Sequence, residues 1–196
     1  MPGDPAPLNS VGDLVLGDVG AMRALTDPLR LTLFDLVRRE GPVASDALAQ
    51  RTDQDQATVN DHLRELETFG FIEKTDGEGA EVRWTTHAKG IYFEIPDEAE
   101  GQLAARQLSK MMMTKYAELP ASWAGGEEPK LYLEWARAAG MFNARLYLTP
   151  DELRGIQNWL ERLLEPFTTR SAAERPVDVA PVRILCFFMP EAERDT

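Results

Sequence analysis

Between Asp27 and Thr86 the spacing of apolar residues changes once, from a repeat of about 3.6 to an alternation. No other feature limits the fold as much, because short helices followed directly by two alternating segments must pack a small sheet against a helical cluster. The first helical segment is "TDPLRLTLFDLVRREG". There Asp27 is placed to cap, Pro28 suits the first helical position, and Gly41 stands where the chain needs a positive φ to leave the helix. Leu29, Leu33, Leu36 and Val37 form its apolar stripe. "SDALAQRT" is shorter, with Ser45 as cap and Leu48 pointing inward. After the turn "TDQ", Asp55 caps a third helix with Val59, Leu63, Leu66 and Phe69 on one side, and Gly70 closes it. "FIEKTD" and "EVRWTT" then alternate as two strands, Trp84 facing the core, and the "GEGA" between them supplies hairpin glycines. Upstream, "DLVLG" reads as a short strand and "DVGAMRAL" as a short helix capped by Asp18.

The back half begins with "EIPDEAEGQLAARQLSKMMMTKYAEL", a long helix expected from Asp97. Its stripe of Ala104, Ala105, Leu108, Met111, Met112 and Tyr116 has no evident partner in its own domain. "PASWAGGEEPK" reads as a loop, and "LYLEWA" and "MFNARLYL" as a pair of strands. "TPDELRGIQNWLERLLEPF" reads as a helix with a Thr149 and Glu152 capping box. Its apolar face is Leu153, Ile156, Leu160, Leu163, Leu164 and Phe167, and "PVRILCFFMP" is a last strand. The expected fold is α+β: an N-terminal winged helix-turn-helix domain, then a connecting helix and a small α+β C-terminal domain. The expected divisions are an arm over 1–17, the winged domain over 18–90, the connecting and dimerisation helix over 91–120, and the C-terminal domain over 121–196.

Composition narrows the chemistry. The chain holds 33 Asp and Glu against 21 Lys and Arg, a formal charge of −12. The excess is evenly spread, with nine basic and fourteen acidic residues in 18–90 and twelve and seventeen in 91–196. No basic tail offers tight nonspecific attraction to phosphates. One cysteine and two histidines leave no internal disulfide and no multi-thiolate metal site within a single chain. Cys186 lies inside the apolar "ILCFFM", the setting of a buried, inert thiol, and neither His62 nor His87 has a catalytic motif around it. The reading is therefore not an enzyme, with no metal and no cofactor. No run of 18 apolar residues occurs, and "MPGDPAPLNS" has neither a basic nor an apolar leader region. A cytoplasmic protein without a membrane partner is expected.

"ALTDPLRLTLFDLV", "VASDALAQRTDQDQATVNDHLRELETFGFIEK" and "GEGAEVRW" together resemble the winged-helix domain of ArsR-type bacterial transcriptional regulators. The likeness covers about residues 18–90, with every element in order. The remaining residues resemble the C-terminal extension of longer actinobacterial members. The resemblance implies that the helix after Asp55 reads double-stranded DNA. Metal sensing, common in that family, needs a thiolate pair that this chain lacks.

A reading helix locks one side onto its domain and turns a polar side to base edges. With Val59, Leu63 and Leu66 inward, Ala57, Asn60, Asp61, Arg64 and Thr68 fall roughly opposite. The candidate DNA-binding residues are Gln54, Gln56, Ala57, Thr58, Asn60, Asp61 and Arg64, with Arg83 in the wing. Gln56 and Asn60 suit adenine edges, small Ala57 permits close approach, and Arg64 reaches a guanine or a phosphate. Thr58 and the helix N-terminus suit a phosphate, and Arg83 the minor groove or the backbone. Asp61 departs from the family pattern, where this position is often basic or neutral. His62, at the edge of the apolar face, reads as a packing residue.

The function expected is a dimeric, sequence-specific DNA-binding transcriptional regulator whose back half dimerises, senses a small molecule, or does both. The alternative is a winged-helix protein–protein interaction module. The back half is rich in aromatic residues, which serve either as core or as the lining of an effector pocket. The candidate effector-binding residues are Trp123, Trp135, Arg137, Asn143 and Arg145.

Overall fold

The computed structural model describes residues 7–77, 82–168 and 170–191. The elements run β1 (Asp13–Val15), α1 (Val19–Ala24), α2 (Pro28–Glu40), β2 (Val43–Ala44), α3 (Ser45–Thr52), α4 (Gln56–Thr68), β3 (Glu73–Asp76), β4 (Val82–Thr85) and β5 (Gly90–Tyr92). They continue with α5 (Ala99–Ala117), α6 (Leu119–Gly126), α7 (Leu133–Ala138) and α8 (Pro150–Thr168). Helix caps set most of the early boundaries. Asp18 accepts from the Ala21 amide at 2.8 Å and Asp27 from the Arg30 amide at 2.9 Å. Asp55 accepts from the Thr58 amide at 2.9 Å. Each accepts a first-turn N–H that has no partner inside its helix. Gly41 and Gly70 end α2 and the α4 turn at φ of 73° and 69°, where a side chain would be strained.

Helix α3 departs from the expected cap. Ser45 is its first residue rather than its cap, and its Oγ accepts from the Trp84 indole N–H at 3.0 Å. The serine thereby ties the start of α3 to the sheet, and Trp84 is buried with its one polar group satisfied. The sheet order is β2-β4-β3, antiparallel throughout, with Val43 opposite Trp84 and Thr75 opposite Arg83. The expected turn over "GEGA" lies mostly outside the described residues. A second, two-stranded parallel sheet joins β1 to β5, Leu14 opposite Ile91. Strands of two or three residues such as β2 and β5 are too short to show an alternation in sequence.

One core serves the front of the chain. Leu33, Phe34, Leu48, Val59, Leu63 and Leu66 from α2, α3 and α4 meet Phe71 and Trp84. Phe71 stands edge-on to Phe34 and stacks on Phe69. Met22 and Leu25 extend this core to Ala104, Ala105 and Leu108 of α5, where the two alanines let α1 approach. The first half of the α5 stripe therefore has its partner within the same chain, and an Arg23–Glu100 ion pair at 2.8 Å flanks the contact. Helix α5 begins at Ala99, two residues after Asp97.

The mixed α+β architecture, a winged helix-turn-helix followed by helices, matches the expected class, but all strands among the described residues precede Phe93. "LYLEWA" forms α7 in place of a strand, and neither "MFNARLYL" nor "PVRILCFFMP" enters a ladder. A strand is held by a neighbour, and without one the helix-favouring Leu133, Glu134, Ala136 and Arg137 follow local preference. "PASWAGGEEPK" is likewise helical over α6, started by Pro120 in its first turn, and is followed by a 3-10 turn at Glu128–Lys130. Helix α8 has the expected capping box. The Thr149 amide donates to Glu152 at 2.7 Å and the Glu152 amide to Thr149 Oγ1 at 3.2 Å. Its apolar face, however, has no buried residue. Cys186 is exposed rather than buried. No helix among the described residues is long and apolar enough to cross a membrane.

Candidate nucleic-acid interface

Helix α4 is clamped from one side. Val59, Leu63 and Leu66 are fully buried against α2 and α3, which leaves the opposite face of the helix turned outward. On that face Ala57, Asp61 and Arg64 are exposed and Asn60 is half-buried, and Gln56 is exposed at the start of the helix. These five expected contact residues come together over two turns of one helix. Gln54 is exposed in the α3–α4 turn, where Asp53 adopts a left-handed φ of 52°. Thr58 is half-buried at the helix start, its amide and its hydroxyl both donating to Asp55. Those hydrogen bonds, the Thr58 hydroxyl first, hold the Asp55 carboxyl below the usual range. A carboxylate thus already sits where the helix N-terminus would attract a phosphate.

Arg64 does not stand alone. Its guanidinium donates to Asp61 at 2.7 Å, one turn earlier on the same face. Among the described residues Arg23 pairs with Glu100, Arg38 with Asp35, Arg51 with Glu40, Arg64 with Asp61 and Lys74 with Glu67. Lys74 also lies over the Trp84 ring, 5.0 Å from its centre. Arg83 is half-buried in β4, on a different element from α4, and lines an open recess with Pro42, Asp76 and Gly77. His62 is largely covered and lies 3.8 Å from Asp27, the cap of α2, as a packing residue would.

A polar cluster behind this surface had no signature in the sequence. Asp35, buried on α2, meets Arg38 at 3.0 Å, the Tyr116 hydroxyl at 3.2 Å and Lys115 at 3.6 Å. Lys115 also donates to Thr32 at 2.9 Å, and Arg38 to the Lys89 carbonyl at 2.7 Å. The network ties α2 to the end of α5 across more than eighty residues of chain. Burial, helped by the Asp35 charge, pushes the Tyr116 hydroxyl up to about 12. Burial lowers Lys115 in spite of Asp35.

The expected effector residues lie on three segments of the chain. Trp123 is on α6, Trp135 and Arg137 are on α7, and Asn143 and Arg145 lie in the segment between α7 and α8. Asn143 is exposed, Trp135 is half-buried, and Arg145 pairs with Glu191 at 2.6 Å.

A comparison with curated proteins finds no match to the chain. Residues 25–75, from the end of α1 into β3, match the sequence profile of a helix-turn-helix domain family. The matched stretch contains α2, α3 and the whole of α4, so the part of this chain that is similar to a known family is the part that presents the candidate DNA-reading face.

Proposed function

We propose that this chain is a sequence-specific transcriptional regulator of the ArsR-like type that binds double-stranded DNA as a homodimer, senses no metal and catalyses no reaction. In this reading residues 18–90 bind DNA, residues 91–120 connect, and residues 121–196 form the C-terminal unit. One observation carries it. Inside a helix-turn-helix match, α4 is fixed by three fully buried residues and turns Gln56, Ala57, Asn60, Asp61 and Arg64 outward. That is what reading base edges in a major groove requires of a helix.

The charge pattern sets the character of the binding. With most of the front-half cations engaged in ion pairs, little is left for general phosphate attraction. Affinity then rests on a few base and backbone contacts made twice, once by each protomer. The test is a gel shift on the DNA upstream of the protein's own gene, measured over a salt series. Arg64→Ala is expected to weaken specific binding by roughly 1–3 kcal/mol, the range of one good base contact. Arg83→Ala is expected to weaken binding to every sequence and to flatten the salt slope. Parental binding by both variants would overturn this docking surface.

A further inference from the structure

The chain divides sharply in how it uses its apolar residues. Among the described residues every buried hydrophobic lies between Val11 and Leu108, and none follows. Beyond it, Phe142 is 92% exposed, Tyr147 90%, Tyr132 81%, Phe167 63% and Trp159 58%. Leu133, Met141, Leu146, Ile184 and Met189 are exposed as well. An apolar surface of this extent is not left in water by a protein that stays in solution alone.

We infer that residues 131–191 form the dimerisation surface of this protein, closing against the same residues of a second copy. The inference rests on the homodimer in the function proposed above and moves its contact from the α5 stripe to the end of the chain. Three observations select a second copy as the occupant. The five exposed aromatics alone present roughly 600–900 Å², about the 800 Å² that each partner contributes to a standard interface, and the aliphatic residues extend it toward the obligate class.

The second observation is the backbone. Residues 140–148 and 179–191 have strand-like sequence but enter no helix, strand or turn, and among the described residues no backbone hydrogen bond reaches them. The Arg145–Glu191 ion pair joins these two segments. Unpaired backbone of strand-forming sequence is completed by pairing with another such segment. A second copy supplies it in matching length and chemistry, and a twofold axis uses each segment once.

The third observation is charge. Residues 131–191 hold seven Lys and Arg against eight Asp and Glu, net −1, whereas residues 1–130 hold thirteen against twenty-three, net −10. Two copies meeting through their bodies would repel. Meeting through their back halves they would not.

Cys186, exposed within the last segment, reports on the contact without any substitution. The test uses the full-length chain. Its mass is measured by sedimentation at tens of micromolar, and the rate of Cys186 alkylation is compared with that of a short peptide of residues 181–190. A dimer whose thiol reacts about tenfold or more slowly than the peptide is expected, since only the bound fraction is shielded. The double variant Phe142→Glu/Tyr147→Glu should sediment as a monomer with parental helix content and an open thiol. A monomeric parent overturns the inference. So does a dimer whose Cys186 reacts at the peptide rate, or a folded variant that dimerises like the parent. Should the variant misfold, the thiol of the parent decides. DNA binding is scored separately: a protected dimer that binds no DNA removes the regulator reading and leaves this surface standing.

Discussion

Arg64 and Asp61 show how one neighbour changes what a residue can do. A lone arginine on a reading face is a guanine or phosphate contact. Here its guanidinium is held at 2.7 Å by a carboxylate on the same face. Replacing Asp61 by Asn removes a negative charge from the DNA-facing side and releases Arg64. Tighter DNA binding is expected, with a salt slope steeper by about one unit as one more phosphate is neutralised. Binding isotherms at several salt concentrations measure both, and unchanged affinity would mean that Arg64 stays away from DNA. At Tyr116 the expected effect is on stability. Its folded value of about 12 lies above the ordinary 10.0, so the folded state holds the proton more tightly. That contribution is complete below pH 10 and is lost as pH rises toward 12. Lys115 acts in the opposite sense, since its lowered value makes stability rise with pH up to 10.5. The gap in urea midpoint between the parent and Tyr116→Phe isolates the tyrosine, and it should narrow between about pH 10 and about pH 12.

At the scale of elements, caps decide where helices start and tertiary contacts decide what their faces are for. Helix α5 illustrates the competition at Gly101. An alanine there would gain about 1 kcal/mol of helix propensity. Its Cβ, however, would stand 2.7 Å from both Cβ and Cγ of Pro96, a rigid ring that cannot rotate away. Overpacking of that kind costs typically about 1–3 kcal/mol, so Gly101→Ala should lower stability despite the better helix former. A denaturation midpoint at or above that of the parent would show that the Pro96 turn yields freely. Helix α8 lies at the other extreme. Its capping box closes as its sequence requires, yet none of its apolar residues is fully buried: Leu153, Ile156, Leu160 and Leu164 are half-covered and Leu163 and Phe167 exposed.

For the whole molecule, the contrast between a front half with a core and a back half without one leads to a concentration dependence. A chain that completes its structure with a second copy gains stability from mass action, and its thermal midpoint rises with protein concentration. Scanning calorimetry from micromolar to hundreds of micromolar should show the midpoint rising steadily. A constant midpoint across that range would mean that each chain unfolds alone. The proposed dimer would suit the proposed DNA binding by an acidic chain, because two reading heads double the number of specific contacts without adding a basic patch.

Most of residues 18–90 was legible in the sequence because the determinants there are local. Caps at Asp18, Asp27 and Asp55 act over three residues, Val59, Leu63 and Leu66 repeat on one face, and Gly41 and Gly70 mark stops. The outward face of α4 followed from the same repeat, whereas the Asp61–Arg64 pair, three residues apart, was not anticipated and came from the structure. Only the tertiary structure decided the rest. It gave Ser45 to Trp84, paired β1 with β5, gathered Asp35 with Tyr116, and covered Ala104, Ala105 and Leu108 with α1. Each joins residues far apart in the chain, where no period or cap records who the partner is. In the back half the alternation at 141–148 and 181–190 expressed a preference for strand, but a strand exists only with a neighbour, and among the described residues none supplies it.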